Sequence, residues 1–261
     1  MVGGLALGLL TPLAAPIPLL ARPAGSGSLP APDGLMRCEA PAPGRYLVLG
    51  SGQQAGEPLA VLLQETWSAD GRIEGSRWLR QGRRFVEDRY TGTITNGEHC
   101  WAKVQRQGKA GAMTTLVALD QLGRPRTALA QDDGQVLGLR YVAQPQVRCH
   151  RGLLNGLVTS QQQGQSWRDN RWQPNAVVQR EWWQQGAVQG IAVSNYGGRQ
   201  LQATYSGRLE IGPDCLGRMV QRDSLGNSYA YRVVVRADGG GYMYLQTDPD
   251  DLTLGLLQRQ L

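Results

Sequence analysis

The sequence predicts an all-β protein that contains two tandem antiparallel β-barrels of about eight strands each. The first observation behind this prediction is an internal repeat: residues 64–100 and residues 179–215 share ten identities over 37 positions at a constant offset of 115. The repeat includes a Tyr-x-Gly word, at Tyr90 and again at Tyr205, that is followed by a cysteine. Self-similarity at a fixed offset is the signature of duplicated structural units. We therefore expect two units of the same fold.

The amino-acid composition is the second observation. The chain of 261 residues contains 35 glycines and one phenylalanine, and Val, Leu, Trp and Tyr supply much of its apolar content. Short strands separated by glycine turns have such a composition, whereas long amphipathic helices do not. The length suits two units of about 110 residues, which is enough for each to bury a core.

Alternation of residue types is the third observation. In residues 228–236 one face carries tyrosines and valines at every second position, which is typical of a half-buried strand. Asp238 and three glycines then form a turn before the next strand, as in a hairpin. Eight consecutive antiparallel strands can close into an up-and-down barrel without exposed edges, and a two-layer sandwich is the alternative. Gly75 and Gly190 favour the barrel because a mid-strand glycine suits a sharp bend.

The chain divides into four predicted segments. Its first residues are apolar but contain three prolines, which a membrane-spanning helix tolerates poorly. An export signal fits better, so we expect a periplasmic or extracellular protein. The predicted segments are an export signal (residues 1–24), a Pro/Gly/Ser-rich lead (residues 25–36), the first barrel (residues 37–143) and the second barrel (residues 148–261).

The four cysteines lie at corresponding places in the two units. Four cysteines allow three pairings, and duplication favours the pairing that repeats itself. We therefore predict the disulfide bonds Cys38–Cys100 and Cys149–Cys215, which would persist in an exported chain. A zinc site is the alternative because His99 lies beside a cysteine, but the sequence has no close cysteine pair of the C-x-x-C kind. We predict neither a metal nor a cofactor.

The positive charge is the first feature that suggests a binding surface. The net charge of +6 comes almost entirely from arginine and favours weak contacts with anions or with a membrane or envelope surface. Six arginines fall within residues 72–89. On strands they would form a strip able to meet phosphate, sulfate or uronate groups, with Arg77, Arg80 and Arg84 as candidates. An ordinary solvated face is the alternative. Nucleic acid is not expected as a partner, since an aromatic and basic readout surface is missing.

The tryptophans are the second feature that suggests a binding surface. Trp167 and Trp172 fall in a polar segment that we predict to be a loop, where they would stack on sugars or aromatic ligands. Alternatively, they plug the mouth of the barrel or pack the two units together. At the offset of 115, Trp182 aligns with Trp67 and is the expected core residue. Trp183 would then face outwards, which makes it the third candidate.

No arrangement of residues points to catalysis. The sequence contains no nucleophile elbow, phosphate loop, dinucleotide fingerprint or zinc-protease helix. Two histidines in the whole chain leave few choices for a general base. The paired carboxylates at Asp132-Asp133 and at Asp248-Pro-Asp-Asp251 lie in equivalent predicted turns, which explains them better than glycosidase chemistry does. We therefore predict no catalytic residues.

The second repeat resembles a family of small exported bacterial β-barrel proteins whose role is uncharacterised. The shared pattern is an early cysteine, an aromatic residue before a glycine turn, a Tyr-x-Gly strand, an Asp-Cys turn and a late Thr-Asp strand. In this chain the pattern is carried by Cys149, Trp182 to Gly186, Gly190, Tyr205-Ser-Gly207, Asp214-Cys215-Leu-Gly217, Thr247-Asp248 and Gly255. The first repeat departs from it at His99, where Asp is usual, and at Gln131-Asp132. The resemblance implies barrels of lipocalin-like or avidin-like size with room for a ligand, and it brings no catalytic residues.

Two functions follow from these expectations. The first is a non-enzymatic exported protein that binds a small apolar, aromatic or anionic molecule, since barrels of about eight strands can enclose one. The alternative is a structural or interaction protein of the cell envelope, with barrels filled by their own side chains and partners bound on the surface. The content of the barrel interiors distinguishes the two.

Overall fold

The computed structural model describes residues 37–132 and 134–260, and it contains two closed antiparallel barrels of eight strands each. The predicted fold class is therefore confirmed, and the sandwich alternative is wrong. The predicted export signal and the lead at residues 25–36 lie outside the described residues. Within the described part of the chain, no helix is long and apolar enough to cross a membrane.

The first barrel runs up and down in chain order, and its last strand pairs with its first. Its strands are β1 (Gly44–Gln54), β2 (Glu57–Trp67), β3 (Arg72–Gln81), β4 (Arg84–Asn96), β5 (Trp101–Gly108), β6 (Gly111–Leu119), β7 (Pro125–Ala130) and β8 (Gln135–Gln144).

The second barrel repeats this order and closes in the same way, by pairing of its last strand with its first. A short 3₁₀ helix, Arg151–Leu154, precedes it. Its strands are β9 (Gly156–Arg168), β10 (Arg171–Gln184), β11 (Ala187–Tyr196), β12 (Arg199–Ile211), β13 (Leu216–Asp223), β14 (Ser228–Val235), β15 (Gly241–Gln246) and β16 (Asp251–Arg259).

Alternation along each strand decides which residues enter the barrel interior. In β5, Ala102, Val104 and Arg106 are buried, whereas the residues between them are exposed. Successive side chains of a strand point to opposite faces of the sheet, so one face of β5 lines the interior. The presence of an arginine on that face shows that the interior is not purely apolar.

The repeated Tyr-x-Gly word is explained by a cross-strand contact. Tyr90 lies opposite Gly75 in β3–β4, and Tyr205 lies opposite Gly190 in β11–β12. A Cβ atom at Gly75 would lie 2.6 Å from the ring of Tyr90, and one at Gly190 would lie 2.5 Å from the ring of Tyr205. The glycines therefore make room for tyrosine rings that cover the backbone, a device that also pins strand register.

The two barrels belong to one compact unit and share an apolar interface between their outer faces. The buried residues of this interface are Leu47, Ala60, Leu62 and Trp78 from the first barrel and Val234, Met243, Leu245 and Leu252 from the second. Hydrogen bonds at the interface include Gln144 Nε2 to the carbonyl oxygen of Val235 (2.8 Å). The carbonyl oxygen of Asp214 accepts from Gln64 Nε2 (2.8 Å) and from the Arg45 guanidinium (3.2 Å).

The four cysteines differ between the barrels. Cys149 and Cys215 form a disulfide bond, as the duplication predicts. Cys38 and Cys100 are free thiols in this structure. Desolvation and the neighbouring Cys100 side chain raise the pKa of Cys38 to about 11. The Cys38–Cys100 bond therefore remains a prediction.

Candidate ligand-binding cavity

A buried ion pair occupies the interior of the first barrel. The Glu65 carboxylate accepts hydrogen bonds from Trp67 Nε1 (2.9 Å), Tyr90 Oη (2.6 Å) and Arg106 Nε (2.5 Å). The Arg106 guanidinium also donates to the hydroxyl of Tyr141 (2.6 Å). Burial acts to raise the pKa of Glu65, but the charge and hydrogen bonds of Arg106 outweigh it and hold that pKa below its ordinary value. The negative charge of the buried Glu65 carboxylate is therefore balanced by the positive charge of Arg106.

A second buried ion pair fills one end of the same barrel. The Arg77 guanidinium binds the Asp88 carboxylate through Nε (2.9 Å) and Nη2 (2.8 Å), and both side chains are 1% exposed. Arg77 also donates to the carbonyl oxygen of Gly111 in the β5–β6 turn (3.0 Å). Its guanidinium carbon lies 5.6 Å from the centre of the Tyr90 ring, within the range of a cation–π contact. The first barrel is thus filled at the end where this turn lies.

The second barrel has a carboxylate in the corresponding place but no cation beside it. Glu181 accepts hydrogen bonds from Trp183 Nε1 (2.8 Å), Tyr205 Oη (2.8 Å) and Tyr242 Oη (2.7 Å). The Gln221 amide lies 3.5 Å from the same carboxylate. Burial raises the pKa of Glu181, and the four hydrogen bonds oppose this without cancelling it. No described Lys or Arg side chain pairs with Glu181.

Two small residues stand where the first barrel has its second ion pair. Arg77 and Asp88 face each other across β3–β4, and Ala192 and Ala203 face each other at the same register across β11–β12. Both alanines lie 115 residues after their counterparts, which is the offset of the sequence repeat. The exchange removes two long side chains and leaves space in the second barrel.

That space is a cavity of about 80 Å³ inside the second barrel. A volume measured in this way holds one water molecule in roughly 10–15 Å³, so the cavity has room for a molecule of about five to eight non-hydrogen atoms. Gln221, at the position of Arg106, is one of its lining residues. The other polar and aromatic lining residues are Gln162, Gln179, Ser194, Tyr196, Tyr205, Asp223, Asn227, Tyr229, Tyr231, Tyr244, Gln246 and Thr253, and the aliphatic lining residues are Val177, Ala192, Leu201, Ala203 and Leu225.

The two ends of the second barrel differ. The cavity lining includes the exposed residues Leu225 and Asn227 of the β13–β14 turn, so the cavity reaches solvent at that end. At the other end Leu154 of the 3₁₀ helix packs into the core beside the Cys149–Cys215 bond. The Asn155 side chain then accepts from the backbone N–H of Gln185 in the β10–β11 turn (2.8 Å). The disulfide end is thus a floor, and the β13–β14 end is the entrance.

The cavity tyrosines are held in their neutral form. Burial raises the pKa of Tyr205, Tyr231 and Tyr244, and the charge of Glu181 contributes at Tyr205 and Tyr244. Neutral phenols offer a ring face, a hydroxyl donor and a hydroxyl acceptor. The lining is therefore suited to an amphipathic molecule rather than to a purely apolar one.

The structure does not place the three arginine candidates in one exposed strip. Arg77 points into the first barrel, where it pairs with Asp88. Arg80 is on the opposite face of β3 and is fully buried against the second barrel, where its guanidinium donates to the carbonyl oxygens of Thr247 (2.9 Å) and Pro249 (2.8 Å). Of the three candidates, Arg84 alone is exposed. The predicted strip is wrong because alternation sends its members to different faces.

Trp167 and Trp172 lie on strands rather than in a loop. They face each other across the β9–β10 hairpin with ring centres 5.5 Å apart, and Asp169 and Asn170 form its two-residue turn at positive φ. Trp172 packs beside the barrel–barrel interface, and its Nε1 donates to the Glu57 carboxylate (3.1 Å). Of the predicted roles, packing of the two units is the one that Trp172 performs.

The expectation for the adjacent tryptophans is wrong. Trp183 is 1% exposed and belongs to the core, whereas Trp182 is 59% exposed. The reason is a turn of different length: three residues separate Trp67 from Gly71, but two separate Trp183 from Gly186. The repeat offset is therefore 116 before this turn and 115 after it.

The same change in offset concealed the two buried carboxylates from sequence analysis. Glu65 and Glu181 lie 116 residues apart, so they do not coincide in an alignment at 115. A repeated Glu-x-Trp word, Glu65 to Trp67 and Glu181 to Trp183, was the available signal. In both barrels the tryptophan of this word donates to its own glutamate.

Comparison with known proteins adds little to the geometry. No protein-family profile matches the chain, and no curated protein sequence matches it. Two solved structures align over most of the chain. A candidate AttH protein from Nitrosomonas europaea has 10% identity and a TM-score of 0.25 over 83% of this chain and 92% of its own. A porin-like protein from Bacteroides uniformis has 9% identity and a TM-score of 0.22 over 86% of this chain and 98% of its own. Such scores carry no argument about function.

Proposed function

We propose that the protein is an exported, non-enzymatic binding protein that holds a small molecule in the cavity of the second barrel. The observation that supports this is the contrast between equivalent positions. Arg77 and Asp88 fill the first barrel, whereas Ala192 and Ala203 line an open space in the second. A site selected only for stability has no need of such a space, because unfilled volume in a core costs free energy.

The size and lining of the cavity restrict the ligand. Pockets for drug-sized ligands usually have volumes of about 300–1,000 Å³, so a cavity of about 80 Å³ favours a much smaller molecule. Five tyrosines and five amide side chains line it, together with a few apolar residues. The proposed ligand is therefore small and carries polar groups.

The first barrel fits the alternative function, a barrel filled by its own side chains. Its interior holds two ion pairs and an apolar cluster, and its outer face is packed against the second barrel. We propose that it supports the second barrel rather than binding a ligand of its own. The two predicted functions thus divide between the two units.

Export is the other part of the proposal. The Cys149–Cys215 bond supports it, because disulfide bonds persist in oxidising compartments and are rare in the cytosol. We propose a periplasmic or extracellular location, and fractionation of host cells with an antibody against the second barrel tests it. Recovery of the chain only from the cytosol would contradict this location.

A screen of small molecules against paired variants tests the binding role. The double variant Ala192→Arg/Ala203→Asp transfers the ion pair of the first barrel into the second and fills the cavity. Its matched control, Ile191→Arg/Thr204→Asp, makes the same kind of change on the next cross-strand pair, which faces outwards. We expect at least one compound, neutral, anionic or cationic, to bind the wild type and the control but not the filled variant, as read by ligand-observed NMR. A screen in which no compound shows this pattern would overturn the proposed function.

A further inference from the structure

We propose that the ligand is a small organic cation with N–H donors, a guanidinium or primary ammonium compound, bound over the ring of Tyr205 and above Glu181. This inference rests on the proposed function, since it names the chemical class of the ligand for the same cavity. The first barrel supplies the argument, because it holds two cations of its own at positions where the second barrel has neutral side chains.

The first internal cation is Arg77. Its guanidinium lies over the ring of Tyr90 at 5.6 Å. Tyr205 is the counterpart of Tyr90, and it lines the cavity. The alanine at position 192 brings no guanidinium to this ring, so the ring face is open to a cation from solution. A cation over a tyrosine face is attracted by the ring quadrupole, and the attraction increases when water is excluded.

The second internal cation is Arg106, which compensates Glu65. Gln221 stands in its place in the second barrel, where it lines the cavity and approaches the Glu181 carboxylate at 3.5 Å. A buried carboxylate without a cation carries a desolvation cost that a nearby positive charge offsets. A ligand cation beside Gln221 would supply the charge that the chain itself supplies in the first barrel.

The rest of the lining agrees with this charge. None of the residues that line the cavity is Lys or Arg, although the chain has a net charge of +6. Asp223 lies at the entrance. Acceptors and negative charge favour a donor cation, and they disfavour the anionic ligand that the overall charge suggests.

Two probe molecules of the same shape test the inference. Methylguanidinium and methylurea have similar size, and the first carries a positive charge and an NH2 donor where the second has a neutral carbonyl acceptor. We expect the disulfide-bonded protein to bind methylguanidinium at least about tenfold more tightly than methylurea in NMR titrations, because only the cation gains the ring and carboxylate attraction. Equal binding of the two probes, or tighter binding of methylurea, would overturn the inference.

One variant in each barrel tests the inference further, so that the result does not depend on a single substitution. Glu181→Gln keeps the size of the side chain and removes its charge, so the preference for methylguanidinium should fall by roughly tenfold while methylurea binding stays the same. Arg77→Ala opens the corresponding place in the first barrel, where added methylguanidinium should raise the melting temperature and methylurea should not. A preference that survives Glu181→Gln, or an Arg77→Ala protein that responds equally to both probes, would count against the inference.

The same titrations separate this inference from the proposed function. Neutral or anionic compounds that bind the wild type but not Ala192→Arg/Ala203→Asp would overturn the cation as ligand and leave the binding role supported. If no neutral, anionic or cationic compound binds in this pattern, both the proposed function and the inference of a cationic ligand are overturned.

Discussion

The two barrels share one plan but treat the same buried carboxylate in opposite ways. Glu65 in the first barrel is neutralised by Arg106, whereas Glu181 in the second has only neutral donors. A second difference accompanies the first, since the Arg77–Asp88 pair is replaced by two alanines around a cavity. One copy of the duplicated unit thus has charges that complete its interior, and the other has unfilled volume and a carboxylate without a cation. Unfilled volume and an unpaired charge are expected where function requires an open site, because stability and activity often compete.

The largest expected effect in this comparison concerns Arg106. Arg106→Ala leaves Glu65 buried without a cation, and loss of one partner of a buried pair costs about 3–5 kcal/mol. Its counterpart Gln221→Ala removes only two long hydrogen bonds, to Glu181 (3.5 Å) and to the sulfur of Met219 (3.6 Å), and should cost about 1 kcal/mol. Urea unfolding followed by tryptophan fluorescence measures both. Equal losses for the two variants would show that the charge of Arg106 is not what distinguishes the barrels.

The cysteines provide the next effect in size. Cys149→Ser/Cys215→Ser removes the disulfide at the floor of the second barrel and should lower the free energy of unfolding by about 2–5 kcal/mol. The duplication predicts the same loss for Cys38→Ser/Cys100→Ser in exported protein, where the two thiols would be oxidised. Alkylation under denaturing conditions followed by intact-mass measurement checks this directly. Labelling of Cys38 and Cys100 in protein from an oxidising compartment would limit the predicted pairing to the second barrel.

A smaller effect is expected where the barrels agree. Gly190→Ala places a Cβ atom 2.5 Å from the ring of Tyr205, so the ring must move, at a cost of about 1–3 kcal/mol. Gly75→Ala should cost at least a similar amount, because its Cβ atom would lie 2.6 Å from the Tyr90 ring and also 2.8 Å from the carbonyl oxygen of Gln64. Gly138→Ala is the matched control, because nothing lies within 4 Å of the Cβ atom that it adds. A control that loses as much melting temperature as the other two would show that the ring contact is not the cause.

The smallest effect is a pH dependence of opposite sign in the two barrels. The folded pKa of Glu65 lies below its ordinary value of 4.5, so its contribution to stability is present above that pH and is lost as the pH falls. The folded pKa of Glu181 lies above 4.5, so its contribution is present at lower pH and is lost as the pH rises through the folded pKa.

Paired variants measure this contrast. Relative to the wild type, Glu181→Gln should gain stability as the pH rises from about 4 to 8, whereas Glu65→Gln should become relatively less stable as the pH rises through the lower part of this range. Unfolding at several pH values gives both curves. Parallel curves for the two variants would contradict the assignment of opposite pKa shifts.

The strand pattern was predictable where strands alternate in a way that the sequence shows directly. Residues 228–236 illustrate this, since the alternate tyrosines and valines mark a strand without further information. The environments of the Arg77 and Arg80 side chains were not predictable in the same way. Alternation places them on opposite faces, but it does not reveal that the outer face near Arg80 is covered by the second barrel. Packing between distant segments decides that, and no local pattern records it.

The candidate site was only partly within reach of the sequence. Tyr205 was visible as part of the repeated word, but its partner Glu181 was not, because one residue fewer in the β10–β11 turn shifts the alignment before it. Because of the same shift, the sequence predicts that Trp182 is buried and Trp183 is exposed, whereas the structure shows the reverse. The cavity itself depends on Ala192 and Ala203, and small residues become informative only when their cross-strand partners are known.

The disulfide of the second barrel has a mechanical consequence. Cys215 directly follows Asp214. The carbonyl oxygen of Asp214 accepts hydrogen bonds from the Gln64 and Arg45 side chains of the first barrel. Its partner Cys149 lies on the connection between the barrels, just before the 3₁₀ helix that forms the floor. One covalent bond therefore ties together the connection between the barrels, the floor and the turn that contacts the first barrel. Reduction of that bond in a reducing compartment would remove this tie and loosen the cavity at its closed end, while the apolar interface between the barrels would persist because it does not depend on the bond.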